Sequence, residues 1–225
     1  LVAVGAGVYG LWHYGRDLPD YKQLADYEPP TVTRLHAGDG RLIAEYAKER
    51  RVFVPVSAMP RRVKQAFIAA EDQNFYRHYG VDLFALARAM ATNVVYYVQG
   101  RRPVGASTIT QQVAKNFLLT NEVSIERKIK EAILAFRIER ALTKDRILEL
   151  YLNEIYLGYG SFGVAAAALN YFNKSMDELT TAEVAYLAAL PKAPNNYHPL
   201  RKRKAGTHRR NWVVGRMLEE GFIKP

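Results

Sequence analysis

Helical segments follow one another from residue 57 to the end of the chain, and they constrain the fold more than any other feature. Thr108 with Gln111 and Thr180 with Glu183 have the spacing of capping boxes, in which a hydroxyl and an acidic or amide side chain satisfy a helix start. Apolar residues recur at helical spacing between such signals. The sequence predicts a mainly α body with helices near residues 57–70 (capped by Ser57), 82–98, 108–119, 124–142 (capped by Ser124), 143–157, 163–172, 180–190 and 204–220.

The first 56 residues differ from this body. Residues 31–56 alternate as strands do around the turn Gly38-Asp39-Gly40, which predicts a small β-hairpin. Residues 1–12, LVAVGAGVYGLW, are apolar and uncharged, and are either the trailing part of a transmembrane anchor or a short amphipathic or core helix. The expected organisation is the end of a membrane anchor at 1–15, a linker and hairpin at 16–56, and one catalytic domain at 57–225.

Composition excludes several classes of function. The chain has a net charge of +10, which predicts an anionic partner such as nucleic acid, an acidic membrane surface or a phosphorylated substrate. It has no cysteine, which excludes disulfides, thiol catalysis and cysteine-ligated zinc. Its five histidines have no metal-ligand spacing, so we expect no structural zinc site.

Two adjacent acids, Glu71 and Asp72, follow the apolar run AFIAA. If the helix ends there, both carboxylates lie at its negative pole, where an acid costs a few tenths to about 1 kcal/mol. A solvated helix end is the structural interpretation. The functional interpretation is that a carboxylate is placed there because it takes part in a reaction.

Cations and hydroxyls gather in two later segments. GASTITQQVAKN (105–116) places hydroxyls and carboxamides at a helix start, where free backbone N–H groups favour anions. In ERKIKEAI (126–133), Arg127 and Lys128 precede Glu131 by four and three residues and share its helical face. The structural alternative is an ordinary exposed ion pair worth about 0.3–0.5 kcal/mol.

Five segments, taken in order, resemble the motifs of the peptidoglycan glycosyltransferases, glycosyltransferase family 51. They are EDQNFYRHYG, GASTITQQVAKN, RKIKE, RILELYLNEIYLG and AEVAYLAALPKAPNNYHP, between about residues 57 and 200. The family forms the polymerase half of class A penicillin-binding proteins. The resemblance implies a two-lobed, mainly α, lysozyme-like fold, here with the small N-terminal hairpin and the remnant of a transmembrane helix.

The resemblance also implies an activity and a location. The family polymerises lipid II into β-1,4-linked glycan strands, inverting the anomeric carbon and releasing undecaprenyl diphosphate. The expected location is the bacterial cytoplasmic membrane, with a single-pass anchor and the catalytic domain on the outer face.

Residue roles follow from the matching motif positions. Glu71 matches the general base, and Glu131 matches the second acid, which orients the donor-site cations or helps to hold a divalent ion. The residues that match the substrate-binding wall are Ser107, Thr108, Gln111, Gln112, Lys115, Arg127, Lys128, Lys130 and Tyr171. Those that match cleft-shaping positions are Asp72, Phe75, His78, Gly80 and Asn153.

Cofactor and partners follow in the same way. The resemblance allows a divalent cation (Mg²⁺ or Mn²⁺) at the diphosphate, with no metal ligand assigned. It implies lipid II, the growing glycan chain, the bilayer and moenomycin-type inhibitors as partners, and no nucleic acid. The apolar segment 83–98 is expected to dip into the bilayer, the alternative being a buried core helix. The basic run 201–210 either faces anionic headgroups or is a solvated helix.

Two other functions compete with this interpretation. A lysozyme-like muramidase or lytic transglycosylase also uses an acid in a helical cleft, but hydrolysis leaves the cation cluster without a purpose. A nucleic-acid-binding module would explain the net charge, but not the paired acids.

Overall fold

The computed structural model confirms the mainly α prediction. It describes residues 9–224 except 11, 17, 28–32, 40, 47–51, 102, 121 and 123. The helices within this part of the chain are α1 Arg61–Glu71, α2 Leu83–Val98, α3 Ile109–Leu118, α4 Ile125–Ala141, α5 Lys144–Glu154, α6 Val164–Phe172, α7 Thr181–Ala189 and α8 Arg203–Glu219.

Two short strands, β1 Thr33–His36 and β2 Leu42–Tyr46, lie in the segment for which a hairpin was predicted. They pair antiparallel, with Thr33 opposite Tyr46 and a register shift next to His36.

The chain divides into two compact units. Unit 1 comprises Leu1–Asp26 and Asn74–Ile147, and unit 2 comprises Tyr27–Gln73 and Leu148–Pro225. In unit 1, α3 packs on α4; in unit 2, α1 packs on α7 and α8, and α7 packs on α8. Each unit therefore has its own set of packed helices.

The caps predicted at Thr108, Ser124 and Thr180 are confirmed, and Asp82, for which no cap was predicted, also caps its helix. The side chains of Asp82, Thr108, Ser124 and Thr180 each accept a hydrogen bond from a backbone N–H in the first turn of α2, α3, α4 and α7, respectively. Both capping boxes are present, so these helix starts were readable from local side-chain chemistry.

Two predicted helix bounds are wrong. Ser57 is not a cap, because residues 55–59 form turns, in which Ala58 N–H donates to the Pro55 carbonyl at 2.9 Å, and α1 begins only after Pro60. Helix α5 ends at Glu154 rather than near Leu157. There the chain leaves the helix because Tyr156 pairs with Phe162 in an isolated bridge.

The core-helix alternative for segment 83–98 is also wrong. No residue of α2 is buried, and Phe84, Tyr97 and Val98 are more than four-fifths exposed. A helix this apolar with no buried residue has a large unpartnered hydrophobic surface.

The N-terminal predictions fall mostly outside the described residues. Residues 1–8 and 11 of the predicted anchor are among those not described, while residues 12–15 are helical. Across the described part of the chain, no helix combines the length and the apolar character needed to span a bilayer. Within the predicted linker, Leu24 is buried, and Arg146 donates to the carbonyls of Leu24 and Ala25 at 3.4 and 3.2 Å.

Candidate active site

The predicted site residues fall in both units. Unit 2 holds Glu71, Asp72, Asn153 and Tyr171. Unit 1 holds Phe75, His78, Gly80, Ser107, Thr108, Gln111, Gln112, Lys115, Arg127, Lys128, Lys130 and Glu131.

The cations of α4 gather on one buried carboxylate in unit 1. Glu131 is 1% exposed and forms ion pairs with both Arg127 and Lys128. The Arg127 side chain is mostly buried, whereas that of Lys128 is half exposed. Lys128 Nζ also donates to Ser107 Oγ at 3.0 Å, which joins α4 to the segment before α3. The exposed-pair alternative is therefore wrong for Glu131.

The carboxylate of Glu131 neutralises only part of the positive charge around it. Two cations share one anion, so the cluster of Arg127, Lys128 and Glu131 carries a net positive charge. Burial lowers the pKa of Lys128, and the charges of Arg127 and Lys115 lower it further. Burial and neighbouring cations destabilise the charged form of Lys128, and a bound anion would stabilise it.

Lys130, by contrast, lies outside this cluster. Its ammonium pairs with Glu126 at 2.6 Å, and the Glu126 side chain is 56% exposed. Lys130 was predicted to bind substrate, and that role stays a prediction.

Thr108 and Gln111 hold the start of α3 in place. The Thr108 hydroxyl donates to the Gly80 carbonyl at 2.6 Å, and Gln111 Oε1 accepts from Thr108 N–H at 3.0 Å. Gly80 has φ +86°, and a Cβ there would lie 2.7 Å from the backbone of Ala135 in α4. The first motif thus ends in a close backbone approach that only glycine permits, and it positions α3 and α4 together.

A second buried carboxylate, missed by the sequence analysis, fastens the same helices. Glu139 Oε1 accepts from Thr110 Oγ1 and from Lys144 Nζ, each at 2.6 Å. These bonds join α3, α4 and the start of α5. The Lys144 ammonium also lies 4.5 Å from the centre of the ring of Phe75, a residue predicted to shape the cleft.

In unit 2, Glu71 is the last residue of α1 and Asp72 is its C-cap, so both acids lie at the negative helix pole as predicted. The Glu71 carboxylate interacts electrostatically with Lys192 and Arg209, acting to raise the pKa of each. Burial has the larger effect and lowers both pKa values. These cations offset the unfavourable helix dipole at Glu71.

A buried tyrosine completes the surroundings of the two acids. Tyr151 is 1% exposed and packs edge-on against Phe67 of α1. Burial raises its pKa well above the ordinary value, and the charges of Glu71 and Asp72 raise it further. The sequence analysis assigned no role to Lys192, Arg209 or Tyr151, although each lies within a segment named there.

The two remaining cleft-shaping and wall residues of unit 2 have structural contacts. Asn153 exchanges hydrogen bonds with the backbone of Val54 at 2.9 Å in both directions. Tyr171 donates to the Leu157 carbonyl at 2.8 Å, and burial raises its pKa to about 12.

A protein-held divalent ion does not fit these residues. The carboxylate predicted to help hold it, Glu131, is already paired with two cations. Among the residues described, no three His, Asp or Glu side chains are grouped as metal ligands. A divalent ion at the substrate diphosphate stays a prediction.

Comparison with known proteins gives the family. The transglycosylase family model matches residues 39–218. Penicillin-binding protein 1A of Rickettsia conorii is 59% identical over 225 residues, which are 99% of this chain and 28% of that protein. Penicillin-binding protein 1A of Escherichia coli K12 is 48% identical over 224 residues, which are 99% of this chain and 26% of that protein.

A crystal structure of penicillin-binding protein 1A from Haemophilus influenzae is 31% identical, covering 88% of this chain and 20% of that one, with a TM-score of 0.46. The chain spans little more than a quarter of the length of the curated relatives above. Since the family model matches most of the sequence, the chain belongs to the transglycosylase family, the peptidoglycan glycosyltransferase domains of class A penicillin-binding proteins.

Proposed function

We propose that this chain is a peptidoglycan glycosyltransferase that polymerises lipid II into β-1,4-linked glycan strands. The observation that carries the proposal is the cluster in which Arg127 and Lys128 share the buried carboxylate of Glu131 beside Ser107. A reaction whose leaving group is a lipid diphosphate needs cations placed in advance of the developing charge. Hydrolysis of a glycosidic bond needs none, which favours transfer over the muramidase alternative.

Glu71 is the proposed general base. Its carboxylate takes the proton of the acceptor 4-hydroxyl while that oxygen bonds to the anomeric carbon of the donor. The bond from this carbon to the diphosphate oxygen breaks on the opposite face, so the configuration inverts. A positioned base contributes about 10²–10⁴-fold to such a step. The positive charges of Lys192 and Arg209 interact with the carboxylate of Glu71.

Arg127, Lys128 and Lys115 are the proposed diphosphate ligands. In this role Glu131 is a positioning residue, because its carboxylate fixes the side chains of Arg127 and Lys128 before the substrate arrives. Moenomycin-type phosphoglycolipids, which present a similar anionic head, are the proposed inhibitors of the same cluster.

The proposed location is the outer face of the cytoplasmic membrane. The exposed apolar residues of α2 support a bilayer as partner, since Phe84, Met90 and Val94 are each more than 60% exposed. A helix that lies in the membrane interface buries such side chains among acyl chains.

The test is incubation of this chain with labelled lipid II, with the products separated on a gel. The proposal expects a ladder of long glycan strands and released undecaprenyl diphosphate. Cleavage of added glycan without polymer formation would instead support the lytic alternative. Absence of both products would refute an enzymatic role for the chain.

A further inference from the structure

The turn after α5 has an unusual backbone. Gly158, Tyr159 and Gly160 are consecutive and all have positive φ, at 82°, 53° and 67°. Glycine adopts this conformation without cost, but a bulky aromatic residue there is a genuine outlier. Folding alone would favour glycine or asparagine at position 159, so the ring of Tyr159 is kept at an expense of backbone strain.

The neighbouring contacts fix this turn tightly. Leu157 N–H donates to the Ser161 carbonyl at 3.0 Å, and Ser161 N–H donates to the Gly158 carbonyl at 2.9 Å. A Cβ on Gly158 would lie 3.0 Å from the Tyr171 hydroxyl and 3.1 Å from Pro194 Cβ. The strained residue is thus held on a rigid support.

The Tyr159 ring projects from this support beside a histidine. Tyr159 is 69% exposed, and its ring centre lies 6.0 Å from that of Tyr171 and 6.2 Å from that of His198, with the histidine edge-on. His198 Nδ1 accepts from the backbone N–H groups of Leu200 and Arg201 at 3.2 and 3.3 Å. With Nδ1 used as an acceptor, the ring carries its proton on Nε2, which is a donor.

His198 shares the connection between α7 and α8 with residues around the proposed base. Pro194 packs against the turn, and Lys192, two residues earlier, interacts electrostatically with Glu71. All of these residues belong to unit 2. The histidine donor therefore lies on the connection that also carries Lys192, and the turn that bears Tyr159 packs against this connection at Pro194.

We propose that Tyr159 and His198 bind a pyranose ring of the glycan substrate, the sugar stacking on Tyr159 while a hydroxyl or acetamido oxygen accepts from His198 Nε2–H. One face of a pyranose carries C–H groups, which pack on the apolar, electron-rich face of an aromatic ring. A polar donor at the edge of that ring fixes the orientation of the sugar. This inference rests on the proposed function, and it adds two residues that determine substrate affinity.

The experiment is steady-state polymerisation by this chain in detergent over a range of lipid II concentrations. Tyr159→Gly should raise KM about 3- to 10-fold, the range expected for loss of one aromatic contact, with little change in kcat. The melting temperature should stay the same or rise, because glycine relieves the strain at φ 53°. Tyr159→Phe, which keeps the ring, should lose less affinity.

Two further variants sharpen the result. Asn173→Gly is the matched control, since Asn173 is the other described non-glycine residue with positive φ, also 53°, and it has no aromatic ring to lose. His198→Asn keeps an oxygen that can accept from the loop backbone but removes the Nε2–H donor. It should raise KM, and its effect should not multiply fully with that of Tyr159→Gly, because the two side chains hold one sugar.

The outcomes separate this inference from the proposed function. A wild-type KM in Tyr159→Gly would overturn the inference while leaving polymerisation intact. So would a defect that occurs only with lipid vesicles and disappears in detergent, since that points to a headgroup contact. Binding of a soluble β-1,4-linked N-acetylglucosamine tetramer that is lost in Tyr159→Gly, by a chain that makes no polymer, would support the sugar site and refute the proposed function.

Discussion

Glu131→Gln tests the central feature of the candidate site, because the carboxylate of Glu131 is 1% exposed and is paired with both Arg127 and Lys128. Glutamine has nearly the same shape, so the change removes the charge without opening a cavity. It also replaces one of the two acceptor oxygens by an amide donor, which faces a cation. One of the two cations must therefore lose its partner.

The expected loss can be worked from burial. The Arg127 pair is almost fully buried, and a hydrogen bond to a charged group in such a place contributes about 1.5–3 kcal/mol. The Lys128 side chain is 49% exposed, so solvent screens that pair to under about 1 kcal/mol. We expect Glu131→Gln to lower the free energy of unfolding by about 1.5–4 kcal/mol.

Urea denaturation followed by circular dichroism gives this number, provided that the slope with urea is unchanged. Hydrogen exchange of α4 amides would locate the loss in unit 1. Glu126→Gln is the matched control on the same helix, since Glu126 also pairs with a lysine but is exposed, and its unfolding midpoint should not move. In an Arg127→Met background, Glu131→Gln should cost less, because its main partner is gone.

A Glu131→Gln protein as stable as the wild type would refute the assignment of Glu131 as the residue that holds the donor cations. Polymerase activity provides the second arm. Because the cations lose their fixed positions, activity should fall strongly, even at temperatures where the variant is fully folded. Normal activity in a folded variant would reduce Glu131 to a structural residue.

Five other variants test the remaining roles. Glu71→Gln should abolish polymerisation while lipid II binding persists, because an amide cannot accept the proton; normal turnover would remove Glu71 as the base. The pKa of Lys128 is below its ordinary value of 10.5. As the pH rises, Lys128 should therefore lose its charge before pH 10.5 is reached, and the polymerisation rate should fall with it. Lys128→Arg should move this fall to higher pH, and an unmoved limb would assign it to another group. Arg127→Ala and Lys115→Ala should each weaken moenomycin binding, measured by fluorescence anisotropy, by about 1.5–3 kcal/mol; unchanged affinity in both would remove them from the diphosphate site. Phe84→Ser, at a position 87% exposed, should reduce flotation with anionic vesicles without changing the melting temperature, and undiminished flotation would exclude Phe84 from membrane contact.

The sequence by itself determined most of the helix starts, except that of α1, and the local charge pairs. Thr108, Ser124 and Thr180 cap their helices as predicted because a cap is a contact between residues two or three positions apart. The pairs of Arg127 and Lys128 with Glu131 were readable for the same reason, since three or four residues along a helix share a face. The five family motifs were also identified from short, continuous segments of the sequence.

Tertiary structure decided what these local patterns could not. Periodicity cannot show whether an apolar helix is covered, so only the fold distinguished the exposed surface of α2 from a core helix. Burial also depends on distant neighbours, which is why Glu131 proved to be enclosed rather than an exposed pair.

The early end of α5 and the surroundings of Glu71 depend on contacts between distant residues. Tyr156 leaves the helix to pair with Phe162, and Lys192 and Arg209 reach the Glu71 charge from 121 and 138 residues along the chain. A spacing rule covers one or two helical turns, whereas such contacts are set by how whole helices pack. Local chemistry could therefore nominate residues for this candidate site, but only packing decides which charges surround them.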